Sequence, residues 1–276
     1  MLTLRTEDPN TGWLPVRVTN MASRFLARCS RSKVLMMRQS KPMVTFTFDD
    51  VPASACDVGA RILEQYGARG TFYVAGSGCG SANAGGPLRA TIDELRTIWT
   101  NGHEIGCHTF SHPAVRYMSF AELDSELNQN QSVLKTISRD IVVRNFAYPY
   151  GDLSVRTKRY VETRFDSCRS SHAGLNTAVA DLGALNAWPL ENASLDRQKV
   201  AELIAETVRS GAWLIFYSHD VSDKPTRFGV SPDLLELAVN SAKAAGCTLA
   251  TIAEGLRLIS GETDGAYAAS RKCAAE

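Results

Sequence analysis

The stretch "MVTFTFDD", residues 43–50, is a run of strand-forming residues that ends in two adjacent carboxylates. Similar runs recur along the chain: "GTFYVAG" (70–76), "GHEIG" (102–106), "RNFAYPYG" (144–151), "AWLIFYSH" (212–219) and "CTLATI" (247–252). Each is short and apolar, and several run into polar tips. Between them lie helix starts. Ser54 with Asp57 resembles a capping pair, Thr91 with Glu94 and Ser119 with Glu122 read as capping boxes, and Ser231-Pro232 supplies a cap and a first-turn proline. Alternating strands and helices predict an α/β fold around a parallel sheet or barrel, with the chemistry-bearing residues at the C-terminal rim of the strands.

The 276 residues, 44% of them hydrophobic, suffice for one large core. The expected layout is a basic N-terminal extension over 1–41, a catalytic domain over 42–260 and a tail over 261–276. A formal charge of +1 gives no sign of nucleic-acid binding. The seven cysteines are scattered without CxxC spacing, which favours a reduced compartment. With no secretory signal and no run of membrane-span length, the expected location is cytoplasmic. Residues 9–48 hold seven basic side chains and no acidic one. Within them Val18, Met21, Ala22, Phe25, Leu26 and Cys29 fall at helical spacing. This segment reads as a helix docked by its apolar face, with peripheral membrane contact as the alternative. Residues 76–87, "GSGCGSANAGGP", read as a loop walling the site.

"NGHEIGCHTFSHP" (101–113) gathers three of the five histidines. If the segment turns helically, His108 and His112, four apart, project from one face and can share a cation. His103 reads as a structural strand histidine. Asp49 and Asp50 cannot point the same way from an extended backbone, so they suit different tasks. One can complete a His/His/Asp metal set with a place for water, and the other can act as base. Which does which stays open on spacing alone. His219, at the tip of a strand, is a candidate acid.

Taken in order, these segments resemble the polysaccharide deacetylase family, carbohydrate esterase family four, over about residues 42–257. "TFDD" matches its first motif, "GHEIGCHTFSH" the second, "YPYG" the third and "YSH" the position of the fifth. The resemblance implies a deformed (β/α)7-type barrel in a single domain. It further implies a metal-dependent hydrolase that removes an N-acetyl group from an amino sugar in a glycan. It assigns Asp50, His108 and His112 to a divalent cation, usually Zn2+, with Co2+, Mn2+ or Ni2+ as alternatives. It assigns Asp49 as base, the Tyr150 backbone N–H as oxyanion donor and His219 as acid.

Three positions depart from the family pattern. Val51 stands where a glycine is usual, so positive φ should be barred and the turn tightened or re-routed by Pro52. Ala147 stands where many members have an arginine, leaving Asp49 to find another partner, with Arg169 the candidate. The fourth motif is unclear: Asp166 is offered without its tryptophan, and His172 reads as a loop residue that could reach the pocket. Pro149, Arg169, Asp166, Phe228 and Trp188 are candidate substrate-binding residues, Phe228, Tyr150 and Trp188 as sugar-stacking rings. The expected partner is an N-acylated carbohydrate, and the oligomeric state is open. The alternatives are a deformylase or cyclic-imide amidohydrolase on the same fold, or a non-catalytic glycan-binding relative.

Overall fold

A computed structural model describes residues 25–27, 29–37, 41–82 and 86–261. In chain order the regular elements are β1 (Val34–Met36), β2 (Met43–Asp49), α1 (Ala60–Gln65), β3 (Thr71–Val74), α2 (Ile92–Thr100), β4 (Glu104–Cys107) and α3 (Phe120–Ile137). There follow β5 (Asn145–Ala147), α4 (Val155–Val161), β6 (Ser167–Arg169), β7 (Val179–Asp181), β8 (Trp188–Pro189), α5 (Arg197–Ser210), β9 (Trp213–Ser218), α6 (Pro232–Ala244), β10 (Thr248–Leu249) and α7 (Ile252–Ser260).

The main sheet runs β6-β5-β4-β3-β2-β9-β8, with β10 beside the start of β2, and all of its strand pairings are parallel. Among the described residues no pairing joins β6 to β8, so the sheet curls into an α/β half-barrel. Its two faces follow the period of two. Phe46, Phe48, Phe72, Leu214 and Phe216 point outward into the core shared with the helices. Tyr73, Ala147, Trp213 and Ile215 belong to a second cluster on the concave side. β2 is central and buried along its whole length. Because the strands are parallel, their C-terminal ends at Asp49, Cys107, Ala147, Arg169 and Ser218 share one rim.

Thr91 and Ser119 form full capping boxes, and Ser231 caps α6. Ser54 does not cap: its hydroxyl accepts instead from the Val221 N–H at 3.2 Å, and a π-helical turn, Ala55–Gly59, leads into α1. Residues 1–24 of the expected extension, with Val18, Met21 and Ala22 of its apolar face, lie outside the described residues, as does the tail from 262. The described part is held differently from the expected apolar docking, since Phe25 and Leu26 are 63% and 57% exposed. Buried Ala27 and Met37 pack into the apolar clusters instead, and polar contacts reinforce them. β1 pairs antiparallel with β7, and buried Lys158 donates to the Ala27 and Ser30 carbonyls and pairs with Asp181. Among the described residues no helix is long and apolar enough to cross a membrane.

Candidate active site

Asp49 ends β2 facing the barrel interior and is 5% exposed. Its partner is Arg169, whose Nη2 donates to Asp49 Oδ1 at 2.5 Å and also to Oδ2. Arg169 comes from β6, where it is the register partner of Ala147 on β5. Register partners share a face, so the short side chain at 147 leaves the guanidinium room to reach across. The Tyr73 and Tyr217 rings cover it, their centroids 5.3 and 5.0 Å from Cζ. The Tyr73 ring in turn needs Gly106, where a Cβ would fall 2.4 Å from it. Burial alone would raise the Asp49 carboxyl, but Arg169, His108 and His219 outweigh it and hold its pKa below the ordinary value.

Asp50 turns away at φ 55°, followed by Val51 at φ 38°. The expectation that valine bars the left-handed turn is therefore wrong. The buried Val51 side chain sits in the main core and its carbonyl accepts from the Ala90 N–H at 3.0 Å, contacts that hold the residue in a costly conformation. Among the described residues, Thr109, His112 and Tyr150 are the other non-glycine residues with positive φ. All five lie in the loops of this one rim.

The histidine turn is not helical either. After β4 the chain turns left-handed at Thr109 (φ 63°) and again at His112 (φ 58°). The His112 N–H donates to Thr109 Oγ1 at 3.1 Å. Glu126 of α3 clamps the intervening residues, accepting from the Phe110 and Ser111 N–H groups at 2.9 and 2.8 Å and from Ser111 Oγ at 2.6 Å. The result brings the His108 and His112 ring centroids to 4.8 Å. His112 Nε2 lies 3.6 Å from Asp50 Oδ1. His108 Nδ1 lies 2.8 Å from the Ala147 carbonyl, which fixes the proton there and leaves Nε2 bare.

One ligand atom from each of Asp50, His108 and His112 lies within 4.8 Å of the others. Asp50 Oδ1 is buried and, among the described residues, accepts no hydrogen bond. Burial, with His108 and Arg89 alongside, pushes His112 down to about 4 against the pull of Asp50. His108 is lowered too, mainly by burial. A bare Nε2 on His108, a second imidazole held neutral at His112 and an orphaned carboxylate oxygen on Asp50 converge, an arrangement that a divalent cation fits.

His219 follows β9, with its N–H donating to the Phe228 carbonyl at 3.2 Å and Nδ1 at 3.3 Å from the same oxygen. Asp50, Pro52, Pro87, Arg89, His219 and Phe228 line one small open cleft. Phe228 is 45% exposed there. The Tyr150 ring packs edge-on against His112 at 4.5 Å. Of the 76–87 segment, Gly86 and Pro87 wall the cleft, and backbone bonds from Arg89 to Ser81 and from Gly80 to Ala90 pin the residues before them.

Other candidates lie elsewhere. Pro149 is buried and opens the turn Pro149–Gly151, so it shapes the Tyr150 backbone and offers no surface. Asp166 precedes β6, away from the rim, and pairs at the exposed surface with Arg144 at 3.0 Å. Trp188 packs against the main core, its indole N–H buried and its ring beneath Lys199 at 5.9 Å. His172 is exposed and its carbonyl accepts from the Ala187 N–H. His103 stands at the opposite end of β4 from the site, accepting from the Gly70 N–H at 2.9 Å and meeting Glu64 at 3.0 Å.

Besides Glu126, Arg89 and Glu191 escaped the sequence reading. Arg89 lies with its Nη2 3.4 Å from Asp50 Oδ2. Glu191, 6% exposed after β8, has its pKa raised by burial and lies close enough to His219 and Asp49 to feel both charges. The signal for Glu191 was its place just after "WPL", a strand too short to stand out.

Residues 37–164 match the family model described as Polysaccharide deacetylase. The chitin deacetylase of Colletotrichum lindemuthianum is 23% identical over 219 residues, which cover 78% of this chain and 79% of that protein. Its solved structure superposes with a TM-score of 0.56 at 21% identity, covering 80% of this chain and 89% of that one. Chitin deacetylase 1 of Cryptococcus neoformans var. grubii is 27% identical over 130 residues, 47% of this chain, and the match spans about a quarter (26%) of that protein. A CE4 family pseudoenzyme from Bacillus anthracis superposes with a TM-score of 0.55 at 15% identity, covering 82% of this chain and 69% of that one. At such identities the structural likenesses show the fold.

Proposed function

From the premise that this chain belongs to the polysaccharide deacetylase family, we propose that it is a divalent-metal-dependent hydrolase that removes the N-acetyl group from an amino sugar within a glycan. The observation that carries this reading is the buried, unbonded Asp50 Oδ1 beside two imidazoles held neutral. Asp50, His108 and His112 hold the cation, zinc by donor type. When bound, it supplies positive charge that polarises water and the acetamide carbonyl.

The side chains around it divide the remaining work. Asp49, kept ionised by Arg169, accepts a proton from the attacking water. The Tyr150 N–H donates to the oxygen that gains charge as the carbonyl carbon becomes tetrahedral. His219, its Nδ1 turned to the Phe228 carbonyl, gives the Nε2 proton to the departing nitrogen as the C–N bond breaks. Acetate and a free amine leave. The exposed Phe228 ring, beside His219 at 5.5 Å, is a surface for a sugar face. That relatives are named chitin deacetylases supports a β-linked N-acetylated substrate.

Acetate release from N-acetylated oligosaccharides, measured with zinc or cobalt restored, tests this. Release that disappears in Asp49→Asn and His112→Ala supports it. Formate release or ring opening of an imide would move the reaction to another substrate, and binding without turnover would make the chain a glycan-binding relative.

A further inference from the structure

Arg89 is spent on nothing that explains its burial. Its side chain is 14% exposed, and among the described residues its one ion-pair partner is Asp50, at 3.4 Å. That is well beyond the 2.7–2.9 Å of a charge-assisted hydrogen bond. Five N–H donors sit in a fixed planar fork, and none of them reaches an acceptor at hydrogen-bond length among the described residues. The backbone holds the residue firmly even so. The Arg89 N–H donates to Ser81, and the residues on either side pair with 51–53: the Ala90 N–H donates to Val51 and the Ala53 N–H to Leu88. The guanidinium lies flat over Gly78, where a Cβ would fall 2.0 Å from Nη1. The glycine is thus the floor on which the fork rests. Arg89 then opens onto the same cleft as His219 and Phe228.

On the reading that this cleft takes an amino sugar, we infer that Arg89 selects a substrate carrying an oxyanion, a carboxylate or phosphate, close to the acetamide. A planar fork in a half-enclosed cleft is matched by an anion that accepts two parallel bonds. Asp50 occupies the fork only in part: its Oδ1 faces the histidines, and its Oδ2 lies 3.4 Å from Nη2 alone. A neutral sugar hydroxyl would leave most of the guanidinium desolvated and unpaired, which is how a buried charged group comes to discriminate.

The test compares kcat/KM for three N-acetylated oligosaccharides: a neutral one, one bearing a lactyl ether carboxylate and one bearing a 6-phosphate. At least a tenfold preference for one anionic substrate over the neutral one is expected, and the arm that shows it identifies the anion. Arg89→Gln should bring that ratio close to one. Arg89→Lys, a point charge without the fork, should keep part of it. Gly78→Ala keeps the charge but displaces it, and should also lower the ratio. A wild-type ratio within twofold of one overturns the inference, as does a variant that slows all three substrates by one factor, the mark of an arginine that only balances Asp50. Calorimetric binding of the same oligosaccharides to metal-free protein separates this from the proposed reaction. Tighter binding of an anionic glycan, lost in Arg89→Gln, supports the role of Arg89 even if no acetate is released, and equal binding overturns it.

Discussion

Asp49 and Arg169 form a pair that is worth little as a source of stability and a great deal as a constraint. Both are nearly fully buried, at 7% and 1% side-chain exposure, so removing one partner strands the other charge. Arg169→Met should cost about 3–5 kcal/mol in urea denaturation. Adding Asp49→Asn should recover much of that, and a double-mutant cycle with no coupling would contradict the pairing. Val51 gives a second residue-scale test. At φ 38° a Cβ is strained, so the usual order inverts: Val51→Gly loses packing but relieves strain, whereas Val51→Ala loses packing and keeps it. The glycine variant should be at least as stable as the alanine variant by thermal melting, and a glycine variant about 1 kcal/mol less stable would contradict this. The convergence of Asp50, His108 and His112 was legible from residue type, spacing and resemblance. The geometry behind it was not, because five left-handed residues that are not glycine leave no mark in composition. Arg169 could be only a candidate, since reach across from β6 depends on what is absent at Ala147.

The elements that build the rim were legible where their signals are local. β2, β3 and β9 are rich in β-branched and aromatic residues, β4 and β5 stand out as short segments beside the histidine and YPYG motifs, and the capping boxes at Thr91 and Ser119 are four-residue patterns. Ser54 misled because its hydroxyl serves Val221, 167 positions away. β6, β7 and β8 span two or three residues and are strands only because neighbours pair with them. The element that most directly sets the histidine geometry is α3, through Glu126. Nothing in the sequence ties that glutamate to a loop 15 and 16 residues earlier. Glu126→Ala should free the loop between the two histidines and weaken zinc binding by about 10–100-fold in a competitive chelator titration, since groups that orient ligands carry that much affinity. Affinity unchanged within twofold would show that the loop holds itself.

At the scale of the whole molecule, the site makes the metal-free protein acid-sensitive in a definite window. Folded His112 has its pKa pushed down to about 4 from 6.5. Between those values the unfolded chain binds a proton that the folded chain refuses, so stability falls as pH falls. The loss should reach about 3 kcal/mol by pH 4 for this residue alone. His103 and His108, also lowered by burial, add in the same direction. Asp49 and Asp50, lowered from 3.8, add stability that is lost only below that pH. Urea denaturation of metal-free protein at pH 7 and pH 4.5 should show the drop, and His112→Gln should flatten it. An equal slope in that variant would place the acid sensitivity elsewhere. All of these effects converge on one arrangement, which crystals grown with zinc can test directly by anomalous scattering at the zinc edge. The account predicts a single strong peak at about 2.0–2.2 Å from an Asp50 carboxylate oxygen, His108 Nε2 and His112 Nε2, and a peak at other residues, or none, would contradict it.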